Sequence, residues 1–406
     1  MSGTTKKIED VVTVVLFLGL IVTLCIGSIY MFTQPASVIV AQENRLPAEL
    51  PQLKSNIRSW KEAPAQFEKY FVDRFACRTD LVRARNMLLV KAFSVSPSNG
   101  VLIGKNDWLF YMLDGDAQTM RHARPFSEEE LAEWTNALEQ RRQWLAHRGI
   151  KYTFILAPSK CTVYPEYLPE SYSLLNKESR CDQLVAYLKE HSQLDVLDLR
   201  QHMLSQKSAG QLYFRTDTHW NKLGAMIAST ALVKHLRQQL PNLKDSGGTN
   251  EWKVDAVKPV EHGDLVRLMG LDGFMNEEQP VLSRQGGEGW KLSHHPPQPT
   301  KDPKDAYKPL ATQCNPLDST LPRAVLIGDS FSVPLCAYLA PKFSRVYLDR
   351  DTHSQRESRF LADVIKEEKP DVVLQELTER KLMLPAPTNP PEVCEQLSQS
   401  KASQVF

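Results

Sequence analysis

The stretch RAVLIGDSFSVP, Arg323 to Pro334, decides the fold. A short apolar run ends at Gly328-Asp329-Ser330, and the helix-compatible segment VPLCAYLAPKF follows. A continuous apolar run bounded by turn residues reads as a strand buried on both faces. The same rhythm recurs along the chain. Upstream, KYTFILAP and LDVLDL read as strands, while KESRCDQLVAYLKEHS and NKLGAMIASTALVKHLRQQL read as helices. Downstream, the strand SRVYLD, the helix SRFLADVIKEEK and the strand PDVVLQEL close the pattern. Such alternation predicts the α/β class: a parallel sheet with helices on both faces and right-handed crossovers.

Around this body lie other segments. VVTVVLFLGLIVTLCIGSIYMF, Val11 to Phe32, carries no charge over 22 residues. At about 1.5 Å per residue it spans roughly 33 Å, close to the hydrocarbon thickness of a bilayer. A cleavable signal peptide has a shorter apolar core of about 7–15 residues, so the run is read as an uncleaved transmembrane anchor. Lys6 and Lys7 precede it and no basic residue follows until Arg45, which places residues 1–10 in the cytoplasm and the body outside. Residues 33–95 read as a proline-broken stalk that turns helical. Phe67, Tyr70, Phe71 and Phe75 fall at helical spacing there, and that helix is expected to pack on the domain. Residues 96–385 form the expected catalytic domain. Within it NGVLIGKNDWLFYM reads as a hairpin, and SEEELAEWTNALEQRRQWLAHRG reads as a helix with a Ser127/Glu130 capping box and a Gly149 stop. Residues 241–322, rich in Gly, Pro and charge, read as an irregular insertion that leaves room for short strands and lies over one edge or the active face, and 386–406 as a flexible tail. Six cysteines lie beyond the span, enough to pair in a non-cytoplasmic compartment. None has zinc spacing, and no metal or cofactor is expected. The formal net charge of +1 gives no reason to expect nucleic acid as a partner.

A parallel sheet presents the C-terminal ends of its strands at one rim, where ligands bind. Ser330 falls there, at a turn before a helix, where a free backbone N–H can meet an oxyanion. The bland alternative is a helix cap. A serine hydroxyl needs a base within hydrogen-bond reach. LYFRTDTHWNKLGA, Leu212 to Ala225, offers His219 on the same rim, with Asp217 two residues earlier to fix the imidazole tautomer. In an extended segment such an i, i+2 pair points one way. Asp217 or Thr218 as a helix N-cap is the competing reading. His294 and His295 are weaker bases, in a segment without fixed geometry.

With DTHW before GDSF, the chain resembles the alginate O-acetyltransferase family, the AlgJ and AlgX proteins with an SGNH hydrolase-like domain. ENRLPAELPQL, FEKYFVDRFACR, VLIGKNDWLFY, ILAPSKCTVYPEYLP, HGDLVRLMGL and PDVVLQELTERKL agree, in the family's order, over residues 43–384. The resemblance implies an SGNH-like (flavodoxin-like) fold, with the family's serine, histidine and aspartate on Ser330, His219 and Asp217. The chain stops soon after the last strand, so it looks closer to the membrane-anchored AlgJ type than to AlgX with its carbohydrate-binding module. Implied too are O-acetylation of an exported polysaccharide through an acetyl-serine, and acetyl supplied by a multi-spanning membrane acyltransferase of the AlgI type. Its location would be the inner membrane, with the catalytic domain in the periplasm or outside the cell. A polysaccharide O-acetyl esterase, or a non-catalytic polymer-binding subunit of a secretion complex, are the alternatives. Lys160 and Tyr164 after FILAP, Arg350 and Arg356 after VYLD, and Glu376, Glu379 and Arg380 around the final strand are further rim residues. Of these Lys160, Tyr164, Arg350 and Arg380 are taken as substrate-binding candidates, against the commoner fate of a surface charge or ion pair. Trp108, Trp220 and Trp290 are either sugar platforms or core.

Overall fold

A computed structural model describes residues 2–33, 47–52, 56–243, 251–260, 263–285, 291–294, 310–313, 320–350 and 364–394. The chain divides into two compact units, Met1–Pro97 with Met269–Leu271, and Ser98–Leu268 with Asp272–Phe406.

The second unit opens with the expected hairpin, β1 (Val101–Ile103) against β2 (Leu109–Tyr111). Then come β3 (Lys151–Ala157) and β4 (Asp195–Asp198), the hairpin β5 (Trp252–Val260) and β6 (Glu277–Arg284), and the short β7 (Lys291–His294) and β8 (Leu310–Gln313). The chain ends its sheet with β9 (Arg323–Gly328), β10 (Arg345–Arg350) and β11 (Val372–Thr378). The central sheet runs β4-β3-β11-β9-β10-β8-β7. Its first five strands are parallel, so Ala157, Asp198, Thr378, Gly328 and Arg350 end on one rim. β3 leads to β4 on one side and β9 leads to β10 on the other. The chain therefore reverses direction between β3 and β9, the kind of switch point where an open sheet binds ligands.

The strands are apolar without interruption because both faces are covered. Ile155, Leu326 and Leu374 pack with Ile227 and Leu232 of the helix Lys222–Leu236 and Leu335 and Leu339 of the helix Ser332–Leu339. On the other face Phe154 and Leu156 meet Trp134 and Leu138 of the helix Glu128–Ala146 and Leu184 and Leu188 of the helix Arg180–His191. The capping box forms: Ser127 Oγ accepts from Glu130 N at 3.2 Å, and Glu130 Oε2 accepts from Ser127 N at 3.1 Å. Gly149 ends the segment with φ +73°, a conformation that costs glycine little.

Two boundaries differ from expectation. Residues 386–394 are not a flexible tail. Val393 is fully buried beside Val373, and Asn389 accepts from Arg141 Nε at 2.7 Å. The insertion supplies the antiparallel pair β5–β6 and two antiparallel strands at the sheet edge, β8 on β10 and β7 on β8. Short strands at an edge agree with the reading of this segment, but their bounds were not marked, because β5 alternates charge with valines that stay exposed, Val254 and Val257.

In the first unit a single helix, Ser2–Thr33, carries the apolar run, and its Lys7–Thr33 segment has a mean hydropathy of 2.7. The hydroxyls of Thr13 and Thr23 donate to the carbonyls of Glu9 and Gly19, which satisfies them within an apolar helix. The helix Ile57–Asp73 follows, and none of its residues is buried. Cys161, Cys181 and Cys336 are buried, and Cys314 lies outside the described residues.

Ser127→Ala removes one half of the capping box. It should lower the stability of the α/β unit by about 1 kcal/mol, read as a shift of the urea midpoint at unchanged slope.

Candidate active site

The loop between Leu212 and Asn221 is a tight bend rather than the extended segment expected. Its ends meet in an antiparallel bridge between Tyr213 and Trp220, with Phe214 N donating to His219 O and Asn221 N to Leu212 O. Carbonyls turn inward in such a loop and need donors. Lys160, just after β3, supplies them: its Nζ donates to the carbonyls of Phe214, Arg215 and Asp217 at 3.1, 3.2 and 2.7 Å. From the other side Glu277, opening β6, accepts from Arg215 N and Thr216 N at 2.6 and 2.9 Å. Gly263 is needed at the crossing, since a Cβ there would lie 2.2 Å from Thr216 O.

The turn after β9 is held by carboxylates. Asp329 Oδ1 accepts from Phe331 N at 2.9 Å, and its Oδ2 takes the Thr378 hydroxyl at 2.5 Å. Glu376 Oε2 accepts from Asp329 N at 3.2 Å, and a Cβ on Gly328 would come within 2.6 Å of that oxygen. Burial and the Asp329 charge push the Glu376 carboxyl well above the ordinary carboxylate range. Ser332 N donates to Asp329 O. Of the four amides from 329 to 332, that of Ser330 has no partner among the described residues.

These two loops bring three groups into line. His219 Nε2 stands 2.6 Å from Ser330 Oγ, and His219 Nδ1 stands 2.7 Å from Asp217 Oδ1. A carboxylate only accepts, so Nδ1 carries the proton and Nε2 accepts from the serine hydroxyl. The Phe331 ring lies 5.0 Å from the imidazole and closes one flank. Asp264 completes the frame. Its Oδ1 accepts from Thr218 N at 2.7 Å, while its own N donates to Asp217 Oδ2 at 2.8 Å. This reciprocal clasp fixes Asp217, and Asp264 Oδ2 comes to 3.6 Å from His219 Nδ1. Burial pushes the Asp217 carboxyl up, but the His219 ring and the two backbone donors outweigh it and hold the group below the ordinary carboxylate range. Burial and the neighbouring Asp217 raise Asp264. Asp217, His219 and Asp264 also each offer a metal-ligand atom within 4.8 Å of one another. His219 Nδ1 already carries the proton it shares with Asp217, so only carboxylate oxygens are left there to meet a cation.

The family described as "SGNH hydrolase-like domain, acetyltransferase AlgX" matches residues 101–379, more than half of the chain. The chain belongs to this family. Proteins named "Probable alginate O-acetylase AlgJ" are similar to it. The one from Pseudomonas putida is 28% identical over 189 residues, 45% of each chain. That from Pseudomonas aeruginosa is 26% identical over 235 residues, 57% of this chain and 55% of that one. The alignments span about half the length of these relatives. Among solved structures, Bacillus cereus PatB1 with a sulfonyl adduct superposes with a TM-score of 0.51 at 16% identity, covering 70% of this chain and 97% of that one. That likeness bears on the SGNH-like fold of the family alone.

Several expectations are corrected. Lys160 and Tyr164 are buried and occupied within the protein: the lysine holds the histidine loop, and the Tyr164 hydroxyl accepts from Leu212 N at 2.9 Å. Neither is placed to hold substrate. Burial also draws the Lys160 ammonium down to about 8. Arg380 is buried, bonded to Asp116 at 3.4 Å and stacked 5.5 Å from the Phe331 ring, so it braces the site from beneath. Glu379 accepts from Ser159 N and Thr162 Oγ1. Trp108 and Trp220 are core. The N-cap of the helix after His219 is Asn221, not Asp217 or Thr218, and Ser330 caps nothing, its hydroxyl being turned to His219. Arg350 ends β10 on the rim; its side chain, like that of His294, lies outside the described set, as do Trp290, His295 and Arg356. Asp264 and Glu277 were missed. The signal for Asp264 was the glycine and acid of GDL in HGDLVRLMGL, whereas Glu277, in MNEEQP, carries none.

A carboxyl held low by its folded partners contributes stability that is present above its unfolded pKa and lost as pH falls through the folded value. Asp217→Asn should therefore flatten the acid limb: urea midpoints from pH 6 down to about 2 should fall less steeply than in the parent.

Proposed function

We propose that the chain is a membrane-anchored O-acetyltransferase that acetylates hydroxyls of an exported, alginate-like polysaccharide. The observation that carries this reading is the line from Asp217 through His219 to Ser330, at 2.7 and 2.6 Å, beside a Ser330 amide without a partner among the described residues. The names of the similar AlgJ proteins support the reaction class and the polymer. In the first half-reaction Ser330 Oγ attacks the acetyl carbonyl of a donor. Its proton passes to His219 Nε2 and then to the departing donor group. The acetyl–Ser330 ester forms as the acetyl–donor bond breaks. In the second, a sugar hydroxyl attacks that ester and gives its proton to His219. The C–Oγ bond breaks, and Ser330 takes the proton back. The imidazolium formed in each half is stabilised by Asp217, and the negative carbonyl oxygen by the Ser330 N–H. The donor is taken to be a multi-spanning membrane acyltransferase of the AlgI type, and the body of the chain to lie in the periplasm or outside the cell.

Given a chromogenic acetyl ester and an alginate oligosaccharide, the chain should carry an acetyl adduct on the Ser330 peptide and acetylate the sugar. Ser330→Ala should lose the adduct, and His219→Ala should slow turnover by about 10³-fold or more. Release mainly to water with a good acceptor present would make it an esterase instead. A second outcome concerns Ser2–Thr33. The chain should remain in the membrane pellet through salt and carbonate washes, whereas recovery as a trimmed soluble species would identify a signal sequence.

A further inference from the structure

We infer that the helix Ile57–Asp73 docks on the bilayer surface, its apolar face in the headgroup region beside the N-terminal span; this rests on the anchor reading above. Ile57, Trp60, Phe67 and Phe71 recur at helical spacing and share one face with Pro64. They are 77, 59, 51 and 39% exposed. Arg58, Glu62, Lys69 and Asp73 occupy the opposite face. So much exposed apolar surface in one stripe on an amphipathic helix calls for a cover.

The first unit itself says which cover. The last turns of the uncharged run touch this helix and the corner after it. Phe32 stacks on Tyr70 and meets Phe71, with ring centroids at 5.6 and 5.8 Å. Ser28 Oγ accepts from Ala76 N at 3.1 Å, and a Cβ on Gly27 would lie 2.8 Å from that of Ala76. Phe32 is the last residue of the run, and Ser28 lies about 6 Å further in along the helix axis. If the run spans the bilayer, these contacts fix the C-terminal end of the Ile57–Asp73 helix at the hydrocarbon boundary. That is the depth at which an in-plane amphipathic helix buries its apolar face, roughly 5–10 Å into the headgroup region. Tryptophan is enriched at that level, and Trp60 lies on the stripe. From Ile57 to Phe93 there are eight lysines and arginines against four acids, an excess that favours anionic headgroups. A protein partner would need the same apolar face, but nothing would tie its docking to the end of the span.

The test uses the full chain in phosphatidylcholine–phosphatidylglycerol vesicles that contain a lipid with a diazirine on its acyl chain, mapped by peptide mass after irradiation. The expected result is adducts on Ser2–Thr33 and on the Trp60 and Phe67 peptides. A Trp60→Glu/Phe67→Glu double variant should lose most of the helix adducts and keep those of the span. A labelled span with an unlabelled Ile57–Asp73 helix overturns the inference and leaves the anchor standing. An unlabelled span in chain released from the vesicles defeats the anchor reading, and the inference falls with it.

Discussion

A single buried ammonium holds the site together. Lys160 Nζ sits where three carbonyls of the histidine loop converge. Without it those carbonyls would be left dry and unpaired, at a cost of about 1–3 kcal/mol each. The loop is too short and too bent to satisfy them itself. Placing the cation there sets the path of the backbone from Phe214 to Asp217, and that path sets where the His219 ring stands. Glu277 and Asp264 complete the grip by accepting from the outward amides of Arg215, Thr216 and Thr218. The result is a histidine on a loop with the fixity of one on a strand.

The nucleophile turn is built by the opposite device. Carboxylates gather beneath Ser330, and backbone N–H groups and hydroxyls answer them. Asp329 holds Phe331 N and the Thr378 hydroxyl, and Glu376 holds Asp329 N. Burial and the nearby Asp329 charge both disfavour the ionised form of Glu376, and its carboxyl is pushed well up. Arg380 and Asp116 extend the network beneath Phe331. The buried charges at this rim thus act on the backbone. Each hydrogen bond to a loop amide or carbonyl removes a freedom that would otherwise blur the 2.6 Å contact between serine and imidazole.

The sequence by itself determined the five parallel strands of the sheet, most of its helices and which three groups to look for on the rim. Uninterrupted apolar runs mark strands buried on both faces, and a parallel sheet has only one rim on which Ser330 and His219 can both lie. It determined the apolar span and the amphipathic stripe beside it, because both are properties of spacing. It did not determine what Lys160, Tyr164 and Arg380 do. Position after a strand places a residue at the rim, but whether its side chain faces ligand or turns under a loop depends on which backbone groups fold over it. Tertiary structure also decided the roles of Asp264 and Glu277, which reach the histidine loop from 46 and 61 residues away, by hydrogen bonds to its backbone. Backbone amides leave no trace in the identity of the residues that carry them, so partners recruited to satisfy them become visible only once the chain has folded.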